Sequence, residues 1–255
     1  MIQLIRNEVE KFKILTLAER PDLADQIDGL FAASWPEFMR HDQVADEYFL
    51  YLEQLFPQFQ FFLLEEGGKV IAAGNVIPFY WDGTPEGLPS GWDDVLIRGV
   101  EEHHRGRKPN AASALSIAID PAFRGQGISQ RMVATMKALV KEQKIEQMVA
   151  PVRPSLKHKY PLTPINRYVD WKTPDGAPFD PWVRTHWKTG AEIIKIATES
   201  MIIRGTVEEW ESWTGMRFPD SGTYVVPNAL VPVTIDLEAN SGCYVEPNIW
   251  MRHIL

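Results

Sequence analysis

Apolar positions fall in short bursts whose spacing changes along the chain. Residues 12–17 form a brief apolar run with β-branched members, which predicts a strand. Pro21 then opens a stretch where Leu23, Ile27, Leu30 and Phe31 recur at helical spacing, and Val44, Tyr48, Leu52 and Leu55 do so again. Residues 61–64 and 70–76 flank Glu65-Glu-Gly-Gly68, which carries the glycines of a tight hairpin turn, so two antiparallel strands follow. Residues 78–110 break this regularity: Pro78, Gly83, Pro85, Gly87, Pro89 and Gly91 punctuate them before a helix from Trp92 to about His103. The segment reads as an insertion. Beyond it, residues 114–119 predict a strand, Ile128, Met132, Met136 and Val140 share one helix face, and residues 148–152 predict the next strand.

From Pro154 to Pro181 the chain is rich in proline and aromatics and has no period; irregular chain of that length in a compact domain is usually functional. Residues 182–189 predict a short helix, 192–203 one long strand or two, 207–213 a helix, and 229–237 and 244–251 further strands. No repeat, low-complexity tract or linker divides the chain, so one domain over 1–255 is expected. Its core spans about 10–205 and a C-terminal extension about 206–255.

Chemistry concentrates where the strand at 114–119 runs through a turn into the next helix. Gly125 and Gly127 leave room for a ligand to approach the backbone, the helix start offers free amides and the positive end of its dipole, and Arg124 adds a cation. Such a cradle suits a pyrophosphate. It lacks the Lys-Ser/Thr pair of a Walker loop and the spacing of the dinucleotide fingerprint, and no ribose or magnesium ligands stand at useful distances, which disfavours a nucleotide-binding enzyme.

Arg124-Gly-Gln-Gly-Ile-Ser129 resembles the acyl-CoA pyrophosphate loop of the GNAT acyltransferase superfamily, Arg/Gln-x-x-Gly-x-Gly/Ala, with Ser129 in the last small position. The order of elements over 12–203 also fits that fold. The resemblance implies an α/β fold of GNAT type, a mixed central sheet flanked by helices, here with two insertions and a C-terminal extension. It implies that Arg124, Gly125, Gln126, Gly127, Ile128 and Ser129 hold the CoA pyrophosphate, and that Ile117 and Ile119 lend backbone groups to the pantetheine arm. The Ser129 hydroxyl would bond a phosphate or cap the helix. The implied co-substrate is acetyl-CoA or a longer acyl-CoA, and the implied acceptor an amine on a small molecule or peptide. A non-catalytic acyl-CoA-binding module of the same fold is the alternative, since a fold does not guarantee its reaction.

Acyl transfer to an amine needs a deprotonated amine, a stabilised oxyanion and a proton for the departing thiolate. In the family a tyrosine four residues before the glycine of Tyr-x-x-x-Gly-Phe commonly supplies that proton; here His186 stands four residues before Gly190. Histidine titrates near working pH and can donate, or His186 is a packing residue beside Trp187. Tyr160 is an alternative acid, with Tyr168 behind it. Arg153 and Lys157 would hold an anionic group of the acceptor or the adenosine phosphate, or else form an exposed basic loop. Trp92, with Trp81, Trp171 and Trp182, marks the irregular segments as a pocket wall or lid, or as anchors of long loops. Glu101, Glu102, His103 and His104 read as a solvated helix end or a general base. Adjacent histidines face different ways and make a poor metal pair, so no metal is expected.

Bulk properties narrow the partners. Of 255 residues 45% are hydrophobic and 24% charged, ordinary for a globular protein, and the net charge of -8 disfavours nucleic acid. A lone cysteine, Cys243, cannot form an internal disulfide and reads as buried or inert, in keeping with a reducing cytoplasm. Met1-Ile-Gln-Leu-Ile-Arg6 becomes charged too soon for a signal peptide, and no run reaches membrane-spanning length, so a soluble cytoplasmic protein without a membrane partner is expected. The pattern does not set an oligomeric state.

Overall fold

In the computed structural model, which describes residues 12–255, strand pairing builds one nine-stranded sheet. The reading of the first six residues as free of a signal peptide lies outside the described residues. In chain order the strands are β1 (Phe12–Thr16), β2 (Gln60–Glu65), β3 (Val70–Phe79), β4 (Ala111–Ile119), β5 (Gln147–Val152), β6 (Ala191–Gly205), β7 (Gly222–Tyr224), β8 (Val233–Asp236) and β9 (Ser241–His253). The helices are α1 (Asp28–Ala32), α2 (Gln43–Tyr48), α3 (Leu50–Leu55), α4 (Trp92–His104), α5 (Ile128–Glu142), α6 (Ile165–Val169), α7 (Pro181–Lys188) and α8 (Val207–Thr214). No helix among the described residues is long and apolar enough to cross a membrane.

β2 explains why both sheet faces are covered. Successive side chains point to opposite faces, and Phe61 and Leu63 join the main core while Phe62 and Leu64 join a smaller one with Leu23, Ile27 and Leu30. The helix expected from Pro21 is two pieces, a 3₁₀ turn over Pro21–Gln26 and then α1. Gly29 inside the short α1 weakens it as a continuation. The hairpin between β2 and β3 closes as expected, with Gly68 at φ 81°.

β4 and β5 are parallel neighbours only at Ala111–Ser113 against Gln147–Val149. Beyond that, β4 stays with β3 to its end while β5 stays with β9, so the two strands part and open a wedge. A bulge marks the opening: Val76 pairs with Ala114 and Asn75 with Ser116, leaving Leu115 outside the register. Its carbonyl accepts instead from the Trp92 indole at 2.9 Å.

The boundary expected near residue 205 is corrected by the topology. β9 lies between β5 on one edge and β6 on the other, so the C-terminal strand completes the sheet's interior. It is buried on both faces for most of its length. Within 206–255, α8 starts at its expected place, held by a capping box between Thr206 and Glu209. The strand expected over 229–237 shrinks to β8, and the short β7 was not foreseen.

Candidate active site

The expected phosphate loop has the local geometry its residues dictate. Gly125 and Gly127 both sit at φ 78°, in the left-handed region that glycine tolerates. Gly127 is the residue before α5 and has no side chain to cap it. The first backbone bond of α5 runs from Arg131 to Gly127, so the amides of Ile128, Ser129 and Gln130 have no partner within the helix. Arg124 donates to the carbonyls of Ile119, at 3.3 Å, and Ala33, at 3.1 Å, which ties the loop to the segment after α1. The Gln126 side chain turns back to the Ala122 carbonyl. Ile117, Ile119, Arg124, Gly125, Ile128 and Ser129 line one groove, closed on its far side by Trp182 and Thr185 of α7. Ser34 also lines it, with a buried hydroxyl that has no hydrogen-bond partner.

The groove leads into the wedge. Ile117 and Trp182 belong to both, and there the walls become Ser116, Pro151, His186 and Asn248. Trp92, 7% exposed, is fixed twice, by its indole on Leu115 and by its amide on Ser200 Oγ at 2.9 Å. Ser200 in turn donates to Asn248 Oδ1 at 2.6 Å. Ser116 belongs to a buried polar row in which Gln60, Asn75 and Ser116 stand opposite one another on β2, β3 and β4. Its hydroxyl donates to Asn75 Oδ1 at 2.6 Å, and Asn75 donates to Gln60, so the lone pairs of Ser116 remain available to accept from a ligand N–H.

On the other side the wedge opens into a second pocket through shared walls, Trp35, Trp92, Ser116 and Met201. Beyond the shared walls its apolar lining comes from residues 24–49, and its charged groups are Arg40, Asp46 and Glu53. The two cavities and the groove form one path from the phosphate loop, across the parted strands, to an acidic chamber. Among the described residues no group of three or more histidine, cysteine or acidic side chains is placed to hold a metal.

Several expected site residues have other work. Arg153 does line the wedge, but its guanidinium is bound to Glu246 at 3.0 and 2.9 Å and to the Asn228 carbonyl at 2.9 Å. Burial works against its charge, yet the Glu246 carboxylate prevails and holds it protonated. Lys157 is fully buried and donates to the carbonyls of Tyr160, at 2.8 Å, and Leu230, at 2.7 Å. Burial pulls its pKa down to about 8, and it serves as a clasp between loops rather than an exposed anion holder. Tyr160 packs its ring on Trp171, with centroids 4.9 Å apart, inside an aromatic cluster away from the groove and wedge walls. Tyr168 donates to Asp180, and burial raises its pKa, so it is no acid.

His186 is on the wedge wall, but its electrostatics differ from the expectation. It is 2% exposed, its Nδ1 lies 2.9 Å from Nε2 of His253, and Trp182 meets its ring edge to face. Burial lowers its pKa to about 3 and that of His253 to about 4, so both are neutral at working pH. Burial thus works against an imidazolium that hands over its proton. His103 and His104 end α4 on the surface, with rings against Phe56 and Tyr51. Cys243 is half-buried and accepts from Arg204.

Ser34, Ser116, Asn248, Asp46 and Glu53 escaped sequence reasoning. Ser116 has a faint signal, as one of two serines in an otherwise apolar strand; the others lie in segments whose approach to the wedge depends on tertiary folding.

Comparison with known proteins agrees with this geometry. The model of the acetyltransferase (GNAT) family matches residues 25–159. The arginine N-acetyltransferase avaD of Aspergillus versicolor is 31% identical, over 95% of this chain and 93% of its own length. The loading GNATL domain of CurA from Lyngbya majuscula superposes with a TM-score of 0.62 at 17% identity, covering 95% of this chain and 97% of that one. The GphF GNAT-like decarboxylase in complex with isobutyryl-CoA gives a TM-score of 0.56 at 17% identity, covering 95% and 98%. At such identities these two structures establish a shared fold and nothing finer.

Proposed function

The chain belongs to the GNAT acetyltransferase family and is an acyl-CoA-dependent N-acyltransferase, and from that premise we propose that it acetylates the amine of a small basic amino acid such as arginine. The observation that carries this reading is the continuous path from the phosphate loop through the wedge to a chamber bearing Asp46 and Glu53. The pyrophosphate lies on the amides that open α5 and the pantetheine arm follows Ile117 and Ile119. The thioester then reaches the parted ends of β4 and β5. The wedge cavity, about 70 Å³ between walls that include Trp92, Met136 and Met201, favours a two-carbon acyl group.

The chamber offers the Asp46 carboxylate to a guanidinium and the Arg40 guanidinium to a carboxylate, and it shares Ser116 with the wedge. The relative, an arginine N-acetyltransferase, supports a cationic acceptor. The neutral amine attacks the thioester carbonyl, its N–H held by Ser116. A nitrogen–carbon bond forms, the carbon–sulfur bond breaks, and the amine's proton leaves to water in the open chamber.

Thiol release from acetyl-CoA, measured with a panel of amines, tests the assignment. Arginine should outperform neutral amines of equal size. Asp46→Asn combined with Glu53→Gln should raise the KM for arginine by roughly tenfold or more, with the KM for acetyl-CoA unchanged. Preference for uncharged amines, or an unmoved KM, would remove the cationic acceptor from consideration.

A further inference from the structure

The two buried histidines at the wedge form an arrangement that the transfer reaction alone does not require. His186 Nδ1 and His253 Nε2 are 2.9 Å apart, and both side chains are 2% exposed. The other nitrogen of His253, Nδ1, is sealed from solvent and has no hydrogen-bond partner. His186 lines the wedge cavity, so with Nδ1 engaged its remaining polar atom is Nε2.

Both rings are neutral, so one hydrogen lies between them and two tautomeric arrangements are available. In the first, His186 donates from Nδ1. His253 must then carry its own hydrogen on Nδ1, which buries an N–H with nothing to receive it. In the second, His253 donates from Nε2. Its Nδ1 is then a bare lone pair, and His186 carries its hydrogen on Nε2. Orphaned buried donors are rarer than under-satisfied acceptors, so the second arrangement prevails. The ammonium of Lys137, held by the Thr189 carbonyl at 3.0 Å, further disfavours an added proton on His253.

We infer that His253 is a positioning residue that locks His186 as the neutral Nε2–H tautomer, a fixed hydrogen-bond donor to the sulfur of the departing CoA. The inference rests on the reading of the wedge as the site of acyl transfer. When the carbon–sulfur bond breaks, the electron pair goes to sulfur, and a preoriented N–H lowers the energy of that developing charge without transferring its proton. The thiolate leaves hydrogen-bonded and takes a proton from water after release. Trp182, edge to face with His186 at 4.7 Å between centroids, keeps the ring from turning away.

Two variants and one spectrum test this. His253→Gln places an amide N–H where the Nε2–H stood, whereas His253→Phe keeps a ring and removes the donor. His253→Phe should lower kcat for arginine acetylation roughly 10- to 100-fold while the KM for acetyl-CoA stays within about twofold. His253→Gln should restore kcat to within about threefold of the parent. A long-range proton–nitrogen correlation spectrum of the unliganded protein should find His186 protonated at Nε2 and bare at Nδ1. The inference is overturned if His186 is protonated at Nδ1, or if His253→Gln is as impaired as His253→Phe. The spectrum needs no substrate: the expected tautomer in a protein that releases no thiol from acetyl-CoA would uphold the lock and overturn the reading of the reaction.

Discussion

The Ser34 hydroxyl is the single polar atom that asks most plainly for a ligand. It is buried, lacks a partner in the protein and lines the groove beside the loop that Arg124 fastens to Ala33. A buried hydroxyl without a hydrogen bond costs about 1–3 kcal/mol, a cost removed when acyl-CoA supplies an acceptor. Ser34→Ala should therefore raise the KM for acetyl-CoA about 3- to 30-fold. Thermal stability should hold or improve slightly, because no internal bond is lost. A lower melting temperature with unchanged KM would make the residue structural. At this scale the sequence was legible where a backbone conformation imposes residue types, as at Gly125 and Gly127. It was not legible where a charged side chain finds an internal partner. Arg153 and Lys157 read as anion holders or an exposed basic loop because Glu246 and the Leu230 carbonyl, their actual partners, lie far along the chain.

Among the elements, the turn into α5 carries the clearest consequence. An added Cβ at Gly127 would meet no protein atom, so the requirement for glycine there is the backbone angle and the ligand rather than internal packing. A left-handed conformation costs other L-residues roughly 1–2 kcal/mol, and a side chain at that point intrudes where the pyrophosphate approaches the amides. Gly127→Ala should lose about 1 kcal/mol in denaturant unfolding and weaken CoA binding by roughly tenfold or more in calorimetry. Intact affinity would move the pyrophosphate elsewhere. The helix and strand patterns around this turn were readable because each is local: α5 and β4 repeat their apolar positions on one face or in one run. The place of β9 was not. Its thirteen residues look like any apolar strand, and only pairing with β5 and β6 reveals that the chain's end fills the middle of the sheet. The β4 bulge escaped for the same reason, since an unpaired Leu115 is defined by its neighbour β3.

For the whole molecule, buried ionisable groups make stability depend on pH in a predictable sense. Asp42 and Asp93 each give one carboxylate oxygen to a backbone amide, of Ala45 and Ile202, both at 2.9 Å, while the other oxygen is sealed without a partner. Burial, then their mutual repulsion for Asp93, pushes the pKa up from 3.8 to about 6 for Asp42 and to about 8 for Asp93. The folded state thus holds protons that the unfolded chain has released, so this contribution is full below about pH 4 and is lost as pH rises toward 8. The pair His186 and His253 has the opposite sign. Their pKa values fall from 6.5 to about 3 and about 4, so they remove stability as pH drops below 6.5. Lys157, lowered from 10.5 to about 8, adds stability with rising pH only above about 8. Together these effects leave stability nearly level between about pH 4 and 6, bring it to a local maximum near pH 6.5 and lower it toward pH 8. Asp93→Asn imitates the protonated carboxyl and keeps an oxygen for the Ile202 amide. It should raise the unfolding free energy by more at pH 8 than at pH 5, the gain growing by up to about 1.4 kcal/mol per pH unit, and flatten the decline toward pH 8. Urea unfolding of both proteins at pH 5, 6.5 and 8 measures this directly. An Asp93→Asn protein that is less stable than its parent at pH 8, with the same slope, would mean that Asp93 is charged in the fold and that the decline has another source.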